Sequence, residues 1–259
     1  MLRPRIIPCL LIQNGGLVKT VGFSKPKYVG DPINAVRIFN EKEVDELVVL
    51  DIDATAKGRE PDYNLIEKLA AECRMPLCYG GGVCSTRQAE RIISMGVEKV
   101  ALSAAATQQP ELVSSLAEIV GAQSVVVVMD IKRAGLRRRY EVFTVNGTQR
   151  TGVTPAGFAV RMQELGAGEI VINSIDRDGT MSGFDHELIA MVRAAVSVPV
   201  TALGGAGSLK DIQELIDRFG ILGVSAGSLF VFKGKYRAVL INYPDRSQKD
   251  ALFRQAATD

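Results

Sequence analysis

Three places in the chain carry side chains that could move protons or hold charge. Asp130 closes the run VVVVMD with five apolar residues behind it, so burial can raise its pKa into the range useful for acid/base work. Asp51 and Asp53 sit in LDID, and Asp176 and Asp178 flank Arg177 in SIDRDGT. Two glycine-rich turns, YGGGV and LGGAGS, let backbone N–H groups approach a ligand unobstructed. Each is followed by a small-residue turn, SAAA at 103–106 and AGS at 226–228. The pattern predicts two phosphate cradles, one from Gly81, Gly82, Ser103 and Ala104, the other from Gly204, Gly205, Gly227 and Ser228. A small molecule phosphorylated at both ends is the matching ligand. Tight turns that need glycine for their own sake are the competing reading.

Positioning these groups requires a fold that turns many strand ends toward one place. Short apolar runs at 5–11, 46–52, 76–79, 98–103, 124–130, 169–174, 198–203 and 221–226 read as parallel strands covered on both faces. Amphipathic stretches lie between most of them. DPINAVRIFNEK starts with Asp31 as N-cap and Pro32 in the first turn, and SLKDIQELIDRFG opens on Ser208 and closes on Gly220. Eight strands, each with a helix or a place for one, predict a single (β/α)8 TIM barrel over 1–259.

A shift of 123 residues lays MPLCYGGGV over VPVTALGGAG, so that Pro76 falls on Pro199 and Gly81-Gly82 on Gly204-Gly205. The barrel therefore reads as two half-barrel repeats, about 1–122 and 123–241, with a C-terminal tail at 242–259. The repeat also pairs the opening strand IIPCLL (6–11) with VVVVMD (125–130), here at a shift of 119 residues. Leu11 then stands where Asp130 stands, and the first half lacks its acid.

Two connections are long. NGGLVKTVGFSKPKYVGDP, after the first strand, reads as a loop acting as a lid or binding flap. After Asp130, Tyr140 to Val145 alternates like a strand before an Asn146-Gly147 turn, and Arg137 to Arg139 read as its solvated face. A net charge of +2 argues against nucleic acid or an anionic membrane as partner. No apolar run reaches the ~18 residues of a membrane span, and a strand begins at once, so a cytoplasmic location is expected. Cys9, Cys73, Cys78 and Cys84 form no CxxC pair, which predicts buried free thiols and no metal site.

The motifs RIIPCL, GDP at 30–32, DELVVLDI at 45–52, GGG at 80–82, VVVVMDIKR at 125–133, GAGEI at 166–170, DRDGT at 176–180 and GGAGS at 204–208 together resemble the HisF family, the cyclase subunits of imidazole glycerol phosphate synthase. The likeness runs from residue 2 to about 240. It implies a (β/α)8 barrel without a cofactor and a HisH-like glutaminase docked on its N-terminal face. It also implies that ammonia passes through the barrel to a bis-phosphate intermediate, where two aspartates drive ring closure. Asp130 matches the second aspartate and Leu11 replaces the first, while Lys19 and Asp178 keep the family identity. Ser103-Ala104 replaces Asn-Thr, Asn173 a threonine, and Leu203 the serine before GGAG, which reads as a mouth that has lost polar groups at several positions.

The family's ring of four charged residues at the ammonia entrance falls on Arg5, Glu46, Lys99 and Glu169, all of the expected charge. A lost acid beside a retained gate resembles the WbuZ-type branch associated with glycan amidation, in which Leu-Ile follows PCL as Leu11-Ile12 does here. That likeness implies ammonia delivery to a sugar amidotransferase in lipopolysaccharide or other surface-glycan assembly. Two alternatives remain at this stage. One is a working cyclase in which Asp130 or Asp178 covers for the missing acid; the other is a non-catalytic scaffold that activates the glutaminase.

Overall fold

The computed structural model describes residues 3–254, so the last five residues of the 242–259 tail lie outside the described residues. Eight parallel strands form a closed ring: β1 (Arg5–Gln13), β2 (Leu47–Asp51), β3 (Leu77–Gly80), β4 (Lys99–Leu102), β5 (Val125–Ala134), β6 (Glu169–Ser174), β7 (Val200–Leu203) and β8 (Gly223–Ala226). Each pairs with its neighbours in sequence, and β8 returns to β1 with Arg5 opposite Gly223. The fold is the expected (β/α)8 TIM barrel.

Among the described residues, eight helices of eight or more residues surround it: α1 (Pro32–Glu41), α2 (Tyr63–Glu72), α3 (Thr86–Ser94), α4 (Glu111–Val120), α5 (Pro155–Glu164), α6 (His186–Arg193), α7 (Leu209–Phe219) and α8 (Arg246–Arg254). The Asp31 side chain accepts from the Asn34 N–H at 2.8 Å to start α1, with Pro32 needing no partner for an N–H it lacks. Ser208 and Asp211 form a reciprocal capping box at the start of α7. The last helix is fastened by Lys249, whose Nζ donates to Asp45 at 2.8 Å. No helix among the described residues is long and apolar enough to cross a membrane.

Strand alternation divides the apolar residues into two cores. Outward side chains such as Ile6, Leu10, Val49 and Val127 pack under the helices with Phe39, Leu69 and Leu116. Inward side chains Ile7, Cys9, Val48, Cys78, Ala101, Val126, Val128 and Val171 form a separate cluster inside the ring. Cys9 and Cys78 are buried free thiols as expected, but Cys73 is half-buried and Cys84 exposed, because the latter follows the GGG turn out of the barrel wall.

The connection after β1 differs from the expected loop. It folds as an antiparallel hairpin, Gly16–Val21 against Ser24–Gly30, and Gly16–Val21 pairs back onto the end of β1. Its polar, bulge-broken alternation hid the strands, since register shifts interrupt the period of two. After β5, Arg139–Thr144 pairs antiparallel with the strand's own extension, Asp130 opposite Phe143, and continues through the Asn146-Gly147 turn to Gln149–Arg150. A third, small hairpin, Phe232–Lys233 with Ala238–Val239, follows β8.

Candidate functional site

The strand ends open into a cavity at the C-terminal end of the barrel. Leu11, Lys19, Asp130, Asp178 and both glycine turns line it, with Phe23 and Asn146 reaching in from the first two hairpins. Asp130 arrives there because β5 is apolar up to Met129 and only its last inward position opens on the mouth. Its carboxylate is held from both sides. Ser103 Oγ donates to one oxygen at 3.2 Å, and Asn173 Nδ2 donates to the other at 2.8 Å. Burial pushes its pKa up to about 6; the two donors pull the other way, and Asp178 adds a small push upward. The group can therefore give or take a proton near neutral pH.

This clamp gives two of the replaced positions, Ser103 and Asn173, a polar task. Ser103 and Asn173 come from β4 and β6, the two neighbours of β5, and both spend a donor on Asp130. Sequence reasoning named all three residues but could not join them, since the contacts cross 27 and 43 residues. The loss is real on the other side. Leu11, Leu50 and Leu203 cap the apolar interior cluster at the mouth.

Lys19 is buried, and its Nζ donates to the Cys9 carbonyl at 2.5 Å. Burial lowers its pKa, with Asp178 acting weakly against that shift. Asp178 accepts from Thr20 Oγ1 at 2.7 Å and from the Phe23 N–H at 3.2 Å, which ties the first hairpin to the loop after β6. Burial raises its pKa against those bonds. Asp51 lines the cavity but accepts from the Asp53 and Ala54 N–H groups, and so closes its own turn. Asp53 is held by Lys57, Gln13 and the Asn14 N–H, and Asp176 caps the Arg133 N–H; neither is part of the cavity wall.

Both glycine turns need glycine for backbone reasons as well. At Gly81, φ is +122° and a Cβ would come within 2.4 Å of the Asp51 carbonyl; at Gly205, φ is +110° and it would meet the Gly183 carbonyl at 2.1 Å. Gly204 and Gly82 also have positive φ. The turns nevertheless face the cavity with bare backbone. Ser103 with Ala104 and Gly227 with Ser228 complete the two sides, each at the start of a short helical turn.

At the other end of the barrel, Arg5, Glu46, Lys99 and Glu169 meet as an alternating ring. Arg5 pairs with Glu46 and, at 2.8 Å, with Glu169; Lys99 bridges the same two carboxylates at 2.8 and 2.9 Å. Burial pushes Glu169 up, but Arg5 and Lys99 outweigh it and hold the carboxyl below the usual range. Thr201 Oγ1 donates to it as well, at 2.5 Å. Between ring and mouth the barrel interior is filled by the inward-facing apolar cluster. No group of three or more histidine, cysteine or acidic residues suited to a metal ion occurs among the described residues.

The family described as "Histidine biosynthesis protein" matches residues 5–237. A Leptospira interrogans protein provisionally named imidazole glycerol phosphate synthase subunit HisF is 60% identical over 253 residues, covering 98% of this chain and 100% of that one. The chain belongs to the HisF family. Relatives with numbered names are also similar. The Vibrio vulnificus subunit hisF3 is 55% identical over 96% of each chain, and the Pseudomonas aeruginosa subunit hisF2 is 52% identical over 96% of this chain and 99% of that one. As a HisF barrel the chain joins an intact charged ring at one end to a mouth where Asp130 has a leucine, Leu11, at its repeat-related position. In the sequence, the loop holding Phe23 and Pro26 reads as a lid or flap and Asn146 as a turn residue, but none of these, nor Val145, is named there as cavity lining. Only their position after β1 and β5 could have hinted at them.

Proposed function

We propose that this HisF-type chain takes ammonia from a HisH-like glutaminase at the charged ring and passes it along the bore to the mouth. There it serves amidation of a surface-glycan sugar by a separate amidotransferase, with ring closure impaired. The observation that carries the reading is Leu11. It faces the mouth at the position matching Asp130 in the repeat, and with Leu50 and Leu203 it turns that side of the cavity apolar. A leucine transfers no proton, and each acid/base group is worth ~10²–10⁴-fold in rate. The four-residue ring, by contrast, is complete, and burying it would be costly without its pairing. Relatives carrying numbered HisF names support a role beside, rather than in place of, an ordinary cyclase. In this reading the two glycine turns, with Ser103-Ala104 and Gly227-Ser228, remain able to hold a phosphorylated molecule, and Lys19 offers it a buried positive charge.

A second reading, a working cyclase, draws on Asp130 itself, clamped and poised near neutrality with Asp178 nearby. One assay separates them. Purified protein is mixed with the bis-phosphate nucleotide intermediate and ammonium salt, beside an ordinary two-aspartate HisF. Turnover at least ~100-fold lower is expected from one missing acid/base group. Turnover within tenfold of the ordinary enzyme rejects the first reading in favour of the second.

A further inference from the structure

The three hairpins that rise after β1, β5 and β8 share two features. The first is charge. Residues 16–30, 131–150 and 232–239 contain twelve of the chain's 31 lysines and arginines but only one of its 29 acids, Glu141. The remainder of the chain thus holds 19 cations against 28 acids, so a near-neutral molecule is strongly polarised. Arg150 is neutralised by Glu141 and Arg133 by Glu187, but Lys25, Lys27, Arg137, Arg138, Arg139, Lys233, Lys235 and Arg237 have no ion pair among the described residues. The second feature is apolar exposure. The three most exposed large hydrophobic side chains among the described residues are Leu136 (106%), Tyr236 (90%) and Tyr28 (66%), one on each hairpin.

The placement repeats as well. Leu136 and Tyr236 both sit inside four-residue turns, closed by Arg138 N–H to Gly135 and Arg237 N–H to Gly234, with cations on either side. Lys27 lies 5.4 Å from the Phe232 ring, which joins the first hairpin to the third. All three hairpins follow the C-terminal ends of parallel strands, so they stand at the mouth end, opposite the charged ring. Isolated exposed hydrophobics need no explanation, but three at one end, each amid unpaired cations, mark an interface with an apolar centre and a charged rim.

We infer that this basic, apolar-tipped crown is the docking surface for the ammonia-consuming enzyme, which presents an acidic face to it. The inference rests on the delivery reading above and names where the third protein sits. Ammonia released into neutral water picks up a proton and ceases to be a nucleophile, so the mouth must be sealed by whatever consumes it. An acidic partner face fits the crown, while the net negative remainder of the chain is repelled by it and fixes the orientation. An anionic membrane could use the same charges, but it holds no ammonia acceptor over the opening.

The test replaces Leu136 or Tyr236, one at a time, with a benzophenone-bearing amino acid in the source cell. Both positions should trap the same protein, identified by mass spectrometry as an enzyme that forms an amide from ammonia. Arg137, Arg138 and Arg139 changed together to Glu should cut that adduct at least tenfold and reduce the amidated product in the cell. Activation of the glutaminase at the opposite end should stay unchanged, which shows that the variant is folded. Adducts only with lipid, with the glutaminase or with another copy of the chain, or none at all, overturn the inference. An adduct with an amide-forming enzyme that acts on something other than a sugar keeps the docking surface and removes the glycan reading. Ordinary ring-closing turnover without an adduct removes both.

Discussion

Asp130 is an expensive residue to keep. Its carboxyl titrates at about 6 when folded, against 3.8 for an unperturbed aspartate, because burial disfavours the charge more than Asn173 and Ser103 stabilise it. Below pH 3.8 both folded and unfolded chains hold the proton and nothing is lost. Between pH 3.8 and about 6 the unfolded chain ionises freely while the folded chain keeps its proton, so stability falls by about 3 kcal/mol across that window and levels off above 6. Asp130→Asn should therefore be more stable than the parent by about 1–3 kcal/mol at pH 8, with the gap closing by pH 4. Urea unfolding at the two pH values measures this, and an equal difference at both would show that the carboxylate is not strained. The acid itself was legible in the sequence, as the last residue of an apolar run. Its clamp was not, because hydrogen-bonding partners on three adjacent strands leave no spacing pattern in one dimension.

The barrel strands were legible for the same reason that they are buried: both faces are covered, so their apolar runs are continuous. The hairpins at the mouth were less so, since a solvated ribbon with bulges carries only a weak alternation. The charged ring lies between these cases. Its four residues sit at the first turns of β1, β4 and β6 and just before β2, and the resemblance alone singled them out. Its energetics follow from the structure. Lys99 bridges Glu46 and Glu169, both buried, so Lys99→Met leaves two carboxylates sharing Arg5. Removing one partner of a buried pair costs about 3–5 kcal/mol, and partial exposure of Lys99 puts this case near the lower end. Because Glu169 titrates below its ordinary 4.5, the ring's contribution is present above that pH and is lost as pH falls through the folded-state value. The penalty of Lys99→Met, followed by thermal unfolding, should thus shrink on going from pH 7 to pH 3. A penalty that stays constant would mean that Lys99 supports the barrel by packing rather than by charge.

At the scale of the molecule, the barrel interior between the charged ring and the mouth is the part whose substitution separates the proposed conduit from a scaffold. Its inward cluster, Ile7, Cys9, Val48, Cys78, Ala101, Val126, Val128 and Val171, is apolar apart from two thiols, and on the proposed delivery reading it favours neutral ammonia over the cation. Ala101 is the smallest side chain there, and Gly80 beside it has no side chain at all; even a methyl group on Gly80 would come within 3.0 Å of the Ala101 Cβ. Ala101→Leu puts a large side chain where the inward cluster has its smallest one. Overpacking of this kind typically costs about 1–3 kcal/mol, which a barrel of this size should survive and a melting curve can check. In the complex with glutaminase and amidotransferase, glutamine-driven amidation should fall at least tenfold. Amidation driven by added ammonium salt should stay within twofold, because that ammonia reaches the acceptor without crossing the barrel. Equal loss of both activities would place the damage at the mouth. No loss of either would leave the chain a scaffold, with ammonia reaching the acceptor by some path other than the bore.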